Sequence, residues 1–181
     1  MTTEYNTFEL FPDLSYNCIT YLIDNNELIW RLLSYTDVNA YRLDDDHPNL
    51  TKEEKGLLVY NGIREETDCR VFMDSGQEYS WNIRACFLRI TPVRLRPSNN
   101  IFGYVSMGFE IYCHYGINQL SNYKTRLNII TQQLIETLNG KDVGGLGRLY
   151  FDARASSDSR MQIMGQIPYK ANGLVMCNWI V

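Results

Sequence analysis

Asp44-Asp45-Asp46-His47 is the one run in which side chains of metal-binding type stand together. Carboxylate oxygens suit calcium or magnesium, but a calcium loop between helices needs acidic or amide residues at alternate positions and then glycine. Pro48 and Asn49 follow instead. The run therefore reads as a solvated acidic loop ahead of a helix, and neither a metal nor a cofactor is expected. Histidine chemistry has little else to draw on, because the chain has 2 histidines, His47 and His114. His114 follows Cys113, and neighbours in a strand point to opposite faces, so the two cannot act as base and nucleophile. No serine stands in a nucleophile-elbow setting. Gly144-Gly145-Leu146-Gly147 follows a helix and precedes a strand, the reverse of a phosphate-binding loop, and it lacks that loop's lysine and hydroxyl. It reads as a flexible connection. No catalytic residue is expected.

The remaining chemical signal is basic. Arg84, Arg89, Arg94 and Arg96, with Trp81 and Phe102 nearby, suit an aromatic-bearing ribbon for nucleic acid, and Arg148, Arg154 and Arg160 add charge. Against a dedicated nucleic-acid binder stand a net charge of -4 and a pI near 5.2. The charge is also divided: residues 1–80 hold 16 acids and 6 bases, and residues 81–181 hold 5 acids and 11 bases. Opposite sections suit head-to-tail association between copies, in which these arginines meet the acidic section of a neighbour. They equally suit complementarity within one molecule.

These residues need elements to position them. Leu14 to Leu33 has helical spacing, with Ser15 as a cap and a break or two short helices expected at Asp24-Asn25-Asn26. Thr51-x-x-Glu54 has the capping-box spacing and predicts a helix to about Tyr60, ended by Asn61-Gly62. Arg70 to Met73 suits a short strand, and Asp74-Ser75-Gly76 a turn. Ile83 to Arg96 alternates as a strand, but its phase reverses across Pro92, the mark of a bulge or an edge. After Pro97-Ser98-Asn99-Asn100, the long segment Ile101 to Tyr115 alternates cleanly. Val105, Met107, Phe109, Ile111 and Cys113 share one face, and Phe102, Tyr104, Ser106, Glu110, Tyr112 and His114 share the other. Fully extended it would span about 50 Å, so it is expected to form a long hairpin with the preceding strand and to project as an arm.

Ser121 to Asn139 predicts an amphipathic helix with Tyr123, Leu127, Ile130, Leu134 and Leu138 towards the core and Gly140 after its last turn. Arg148 to Asp152 predicts a short strand and Ala153 to Arg160 a polar loop. Ile163 to Lys170 and Leu174 to Val181 flank Ala171-Asn172-Gly173, a hairpin turn signal. The fold class expected is α+β: N-terminal helices, then a mainly antiparallel sheet with a long hairpin and one long helix packed on it. An acidic helical section over 1–80 precedes a core over 81–181, either as two units or as one continuous domain.

At 181 residues, 45% apolar and 21% charged, the chain has enough sequence to bury a core without staples. Its 5 cysteines are scattered singly, which suits reduced, buried thiols in a reducing compartment. No apolar run is long enough to cross a bilayer, and Glu4 and Glu9 do not suit a secretion signal, so no membrane span and no secretion are expected.

The order from residue 81 onward, a long hairpin, one amphipathic helix, a short strand and a final strand, resembles the tail-terminator and neck proteins of tailed bacteriophages. The resemblance is carried by Phe102 to Tyr115, Tyr123 to Leu138 and the stretch Leu138 to Leu149. It implies a structural virion protein, folded in the host cytoplasm. Such a protein would form a ring homo-oligomer, commonly hexameric, against tail-tube and head-connector proteins, with transient contact to DNA passing through the channel. Contacts between subunits or with partners are then expected at Arg89, Arg94, Arg96, Phe102, Tyr104, Tyr112, Arg154 and Arg160. The alternatives are a small nucleic-acid-binding module on the Arg84 to Arg96 hairpin and a metal-dependent enzyme on Asp44 to His47.

Overall fold

The computed structural model describes residues 12–73, 83–97, 103–143, 148–151 and 170–180. Apolar spacing in the first section produces α1 (Leu14–Asn25) and α2 (Leu28–Ser34), separated at the polar break. The break is itself a joint. Asn26 Oδ1 accepts from the Ile29 backbone at 2.8 Å, and its amide donates to Gln133 Oε1 at 3.1 Å and Thr137 Oγ1 at 2.8 Å. Asp13, not Ser15, sits at the N-cap of α1, and Ser15 is buried in its first turn. α3 (Lys52–Leu57) begins at the expected capping box, with Glu54 N donating to Thr51 Oγ1 and Thr51 N to Glu54 Oε2. It ends before Tyr60, because Val59 and Tyr60 are drawn into backbone bonding with β1 (Val71–Phe72).

The sheet continues with β2 (Cys86–Pro97) and β3 (Gly103–His114). After α4 (Tyr115–Asn118) and α5 (Arg126–Leu138) come β4 (Lys141–Asp142), β5 (Arg148–Phe151) and β6 (Lys170–Ile180). Its order is β1-β2-β3-β6-β5-β4, antiparallel except for the β1–β2 pair. This is the expected α+β class. The phase reversal at Pro92 is a bulge: Pro92 pairs with Met107 and Arg94 with Ser106, leaving Val93 as the extra residue. The insertion brings Leu95 opposite Val105, in register with the apolar face.

Two expectations about strands are corrected. β3 is not a projecting arm. Its 12 residues, about 40 Å of strand, lie between β2 and β6 and bond to both. The chain turns into α4 at Tyr115, where His114 Nδ1 accepts from Gly116 N at 3.1 Å. Ala171-Asn172-Gly173 is not a hairpin turn either. The three residues lie inside β6, opposite Cys113, Tyr112 and Ile111. A complete ladder from β3 outweighs their local preference for a turn. Ile163 to 169 lies outside the described residues.

One face of the sheet carries the main core. α1 and α2 pack on β2, α5 packs on β3, β5 and β6, and α2 packs on α5. Leu14, Ile19, Leu22, Trp30, Leu33, Leu88, Ile90, Met107, Phe109, Ile111, Ile130 and Leu134 are buried together there. The sections expected at 1–80 and 81–181 therefore share one core. A smaller cluster of Cys69, Phe72, Ala85 and Phe87, with Tyr112 against it, occupies the other face. α5 starts later than expected, at Arg126, with Thr125 as its cap. Tyr123 is not on the core stripe but 94% exposed with φ of 62°, because the chain makes a tight turn before the helix. Leu120 N donates to Lys124 O and Tyr123 N to Leu120 O across that turn.

Arg126 is fully buried. Its guanidinium donates to the carbonyls of Ile117, Leu32, Tyr35 and Asp37. The orphan carbonyls at the end of α2 thus find donors on α5. Arg126→Met should cost about 3 kcal/mol or more in urea unfolding, because several buried carbonyls lose their donors at once. Arg126→Lys should recover only a small part, since a compact ammonium cannot span the same acceptors.

Candidate functional site

The expected contact residues that the structure describes in full, Arg89 and Tyr112, meet on the face of the sheet opposite the helices. Arg89 stands directly across from Glu110 in the β2–β3 register, and Nη1 donates to Glu110 Oε2 at 2.9 Å. Tyr112 Oη donates to the same oxygen at 2.6 Å, and the guanidinium lies 5.6 Å from the Tyr112 ring centroid. Strand alternation puts Arg89, Glu110 and Tyr112 on one face because each neighbours a core residue that points the other way. Phe87 continues the row, with the Arg70 guanidinium 5.6 Å from its ring. The result is a polar and aromatic strip in which Arg89 is matched by a carboxylate of its own chain and Glu110 accepts from two donors. Such a strip suits recognition by shape and stacking more than proton transfer.

Arg94, Arg96 and Tyr104 are described by backbone register alone: Arg94 faces Ser106, and Arg96 faces Tyr104, on the far side of the bulge. The same ribbon therefore carries Arg89, Arg94, Arg96, Tyr104 and Tyr112. Phe102, Arg154 and Arg160 lie outside the described residues. Arg84, on the approach to β2, donates to Gly116 O at 3.2 Å.

The acidic run divides in two. Asp45 and Asp46 are exposed, whereas His47 is buried and bonds through Nδ1 to Asp44 Oδ1 at 2.7 Å and through Nε2 to Asp37 Oδ2 at 2.8 Å. With both ring nitrogens turned onto carboxylates, neither is directed at an open position for a cation. Among the described residues no three His, Cys, Asp or Glu side chains are grouped to hold a metal. Asp37 stands ten positions from His47, and no local pattern in the sequence joins the two.

Three of the thiols, Cys18, Cys69 and Cys113, are shifted towards the protonated form. Burial pushes the Cys18 thiol up to about 12, and burial also raises Cys69. Cys113 is raised by its hydrogen bond with Cys86, its partner directly across the β2–β3 pair, and by burial. A thiol held in that state is a poor nucleophile. A shallow groove of about 390 Å³ runs along the outer face of α5, lined by Asn128, Thr131, Gln132, Ile135 and Glu136. Its walls hold amide, hydroxyl and carboxylate groups around one apolar side chain.

A protein-family model described as YomW matches residues 26–165. The chain belongs to the YomW family. The match begins just after α1 and runs past β5, so it takes in α2, α3, the β2–β3 hairpin and α5 together. No curated protein matches the chain.

The strip can be tested by a double-mutant cycle of Arg89→Met and Glu110→Gln followed by urea unfolding. The pair should show a coupling of about 0.5 to 1 kcal/mol, the range for matched cross-strand charges with partial burial. Additive single effects would mean that the two side chains do not act as a pair.

Proposed function

We propose that the protein is a structural component of a phage particle, assembling as a ring at the neck, closing the tail tube and joining the tail to the head connector. The observation that carries this reading is the edge of β6. β5 pairs only with Cys177, Asn178 and Trp179, so from Lys170 to Met176 β6 bonds to β3 on one side and, among the described residues, to no strand on the other. Left open over that length, a backbone edge would accept a strand from a neighbouring copy. Strand addition at β6 takes the place of the arm that the sequence suggested for Ile101 to Tyr115.

Two further features support a ring. The acidic section over 1–80 and the basic section over 81–181 carry opposite net charge, which suits a head-to-tail contact between copies. The Arg89–Glu110–Tyr112 strip lies on the sheet face away from the helical core, where aromatic and arginine side chains suit contact with another protein, and the strand that carries Arg89 continues through Arg94 and Arg96. The ring works by surface complementarity, with tail-tube and head-connector proteins as its neighbours.

Native mass spectrometry of the purified protein should show a closed oligomer, six copies being the stoichiometry expected from the resemblance. The oligomer should weaken when proline replaces Val175, a residue inside the β6 edge. Negative-stain images of particles should place density for the protein at the head–tail junction. A protein that stays monomeric at high concentration, with no density at that junction, would overturn the reading.

A further inference from the structure

His47 is 7% exposed, and each of its ring nitrogens meets a carboxylate oxygen, at 2.7 Å for Asp44 and 2.8 Å for Asp37. An ionised carboxylate only accepts hydrogen bonds, and a neutral imidazole has a single N–H to give. Only the imidazolium satisfies both contacts. In either neutral tautomer one carboxylate would face a nitrogen lone pair.

We propose that His47 is held as an imidazolium that clasps the loop between α2 and α3, and that loss of its proton loosens the neighbouring turn Gln119–Thr125. The connection between them is continuous. Asp37 binds His47 with Oδ2 and the Asn39 backbone N–H with Oδ1, the latter at 2.7 Å. Asn39 Oδ1 accepts from Ser121 Oγ at 2.6 Å, and Val38 O accepts from Ser121 N at 3.0 Å. Ser121 lies in the turn that holds Tyr123 outward at φ of 62°, a backbone state a bulky residue adopts only when its surroundings enforce it. The clasp is therefore part of what enforces it.

The groups around His47 come from every neighbouring element. Asp37 and Asp44 bear on it directly, and the Tyr35 ring packs edge-on with centroids 5.2 Å apart. Arg31 on α2 and Arg42 in the loop bear on Asp44, Glu54 on α3 bears on Tyr35, and Arg126 on α5 holds the Asp37 carbonyl at 2.8 Å. Burial works against the charged imidazole, but the hydrogen bonds and charges of Asp44 and Asp37 outweigh it and raise the His47 pKa. For Asp37 burial acts upward, but the bonds from the Asn39 backbone and His47 prevail and lower it. For Asp44 the bond from the His47 side chain is the largest influence and outweighs burial, so it is lowered too. The sign follows. A raised folded-state pKa means that the contribution of His47 is complete below the unfolded value of about 6.5 and is lost as pH rises through the folded value. The lowered aspartates lose theirs at the acid end, as pH falls through their folded values.

Nitrogen-detected NMR on the intact protein gives the direct test. At pH 7 both His47 ring nitrogens should carry protons, and the titration midpoint should lie above that of a histidine in an unfolded peptide. Asp44→Asn should lower the midpoint while leaving the fold in place. Amide exchange in residues 119–125, corrected for its intrinsic pH dependence, should speed up about tenfold as His47 loses its proton, and His47→Gln should remove that step. A neutral His47 tautomer at pH 7 would overturn the proposal. So would turn amides whose corrected exchange ignores the His47 titration, or follows the same course in His47→Gln.

Discussion

The buried guanidinium of Arg126 is the interaction on which the rest of the molecule depends. α2 ends against the sheet with carbonyls that have no partners in their own helix, and α4 ends with another. One side chain from the first turn of α5 reaches Leu32, Tyr35, Asp37 and Ile117 and closes both ends. A cation at the N-terminus of a helix is electrostatically unfavourable for that helix, so its position makes sense only through the acceptors it serves. Because those acceptors lie in the N-terminal helical section and just after β3, Arg126 joins the acidic section to the sheet. It also sets where the loop bearing Asp37 begins.

From that joint the two faces of the sheet take different roles. The face under α1, α2 and α5 is a packed apolar core, with Met107, Phe109 and Ile111 of β3 at its centre. The other face carries charged and aromatic side chains at alternate positions of the same strands, because a strand has no other way to serve a core and a surface at once. The ordered strip of Arg89, Glu110 and Tyr112 is thus a by-product of the alternation that builds the core. Its arginine is matched within the chain, which makes it a poorer phosphate binder than a bare basic ribbon and a better element of a fitted protein contact.

Much of the local structure was legible. The Thr51 to Glu54 capping box, the polar break at Asn25-Asn26, the bulge at Pro92 and the stripe of Ile130, Leu134 and Leu138 all rest on residues a few positions apart, and all were recognisable from spacing. Tyr123 was misplaced because its spacing fits the same stripe, while the hydrogen bonds that turn the chain at Leu120 to Lys124 have no signature in residue type. Of the candidate site, Arg89 and Tyr112 were recognised as residues of interest, but Glu110 was not seen as their shared acceptor. The acidic run was noticed, yet its role was divided: two aspartates face solvent, and one joins Asp37 in holding His47.

The sequence by itself determined which segments alternate, which coil, where α3 begins, and that two oppositely charged sections share one chain. Those properties are set by neighbours along the backbone. Only the tertiary structure decided that the long strand is interior and not an arm, that Ala171-Asn172-Gly173 extends a strand in place of turning, and that a buried arginine and a twice-bonded histidine hold the loop between α2 and α3. Each of these depends on partners brought together from distant positions, where the energy of completing a ladder or satisfying a buried polar group exceeds any local preference.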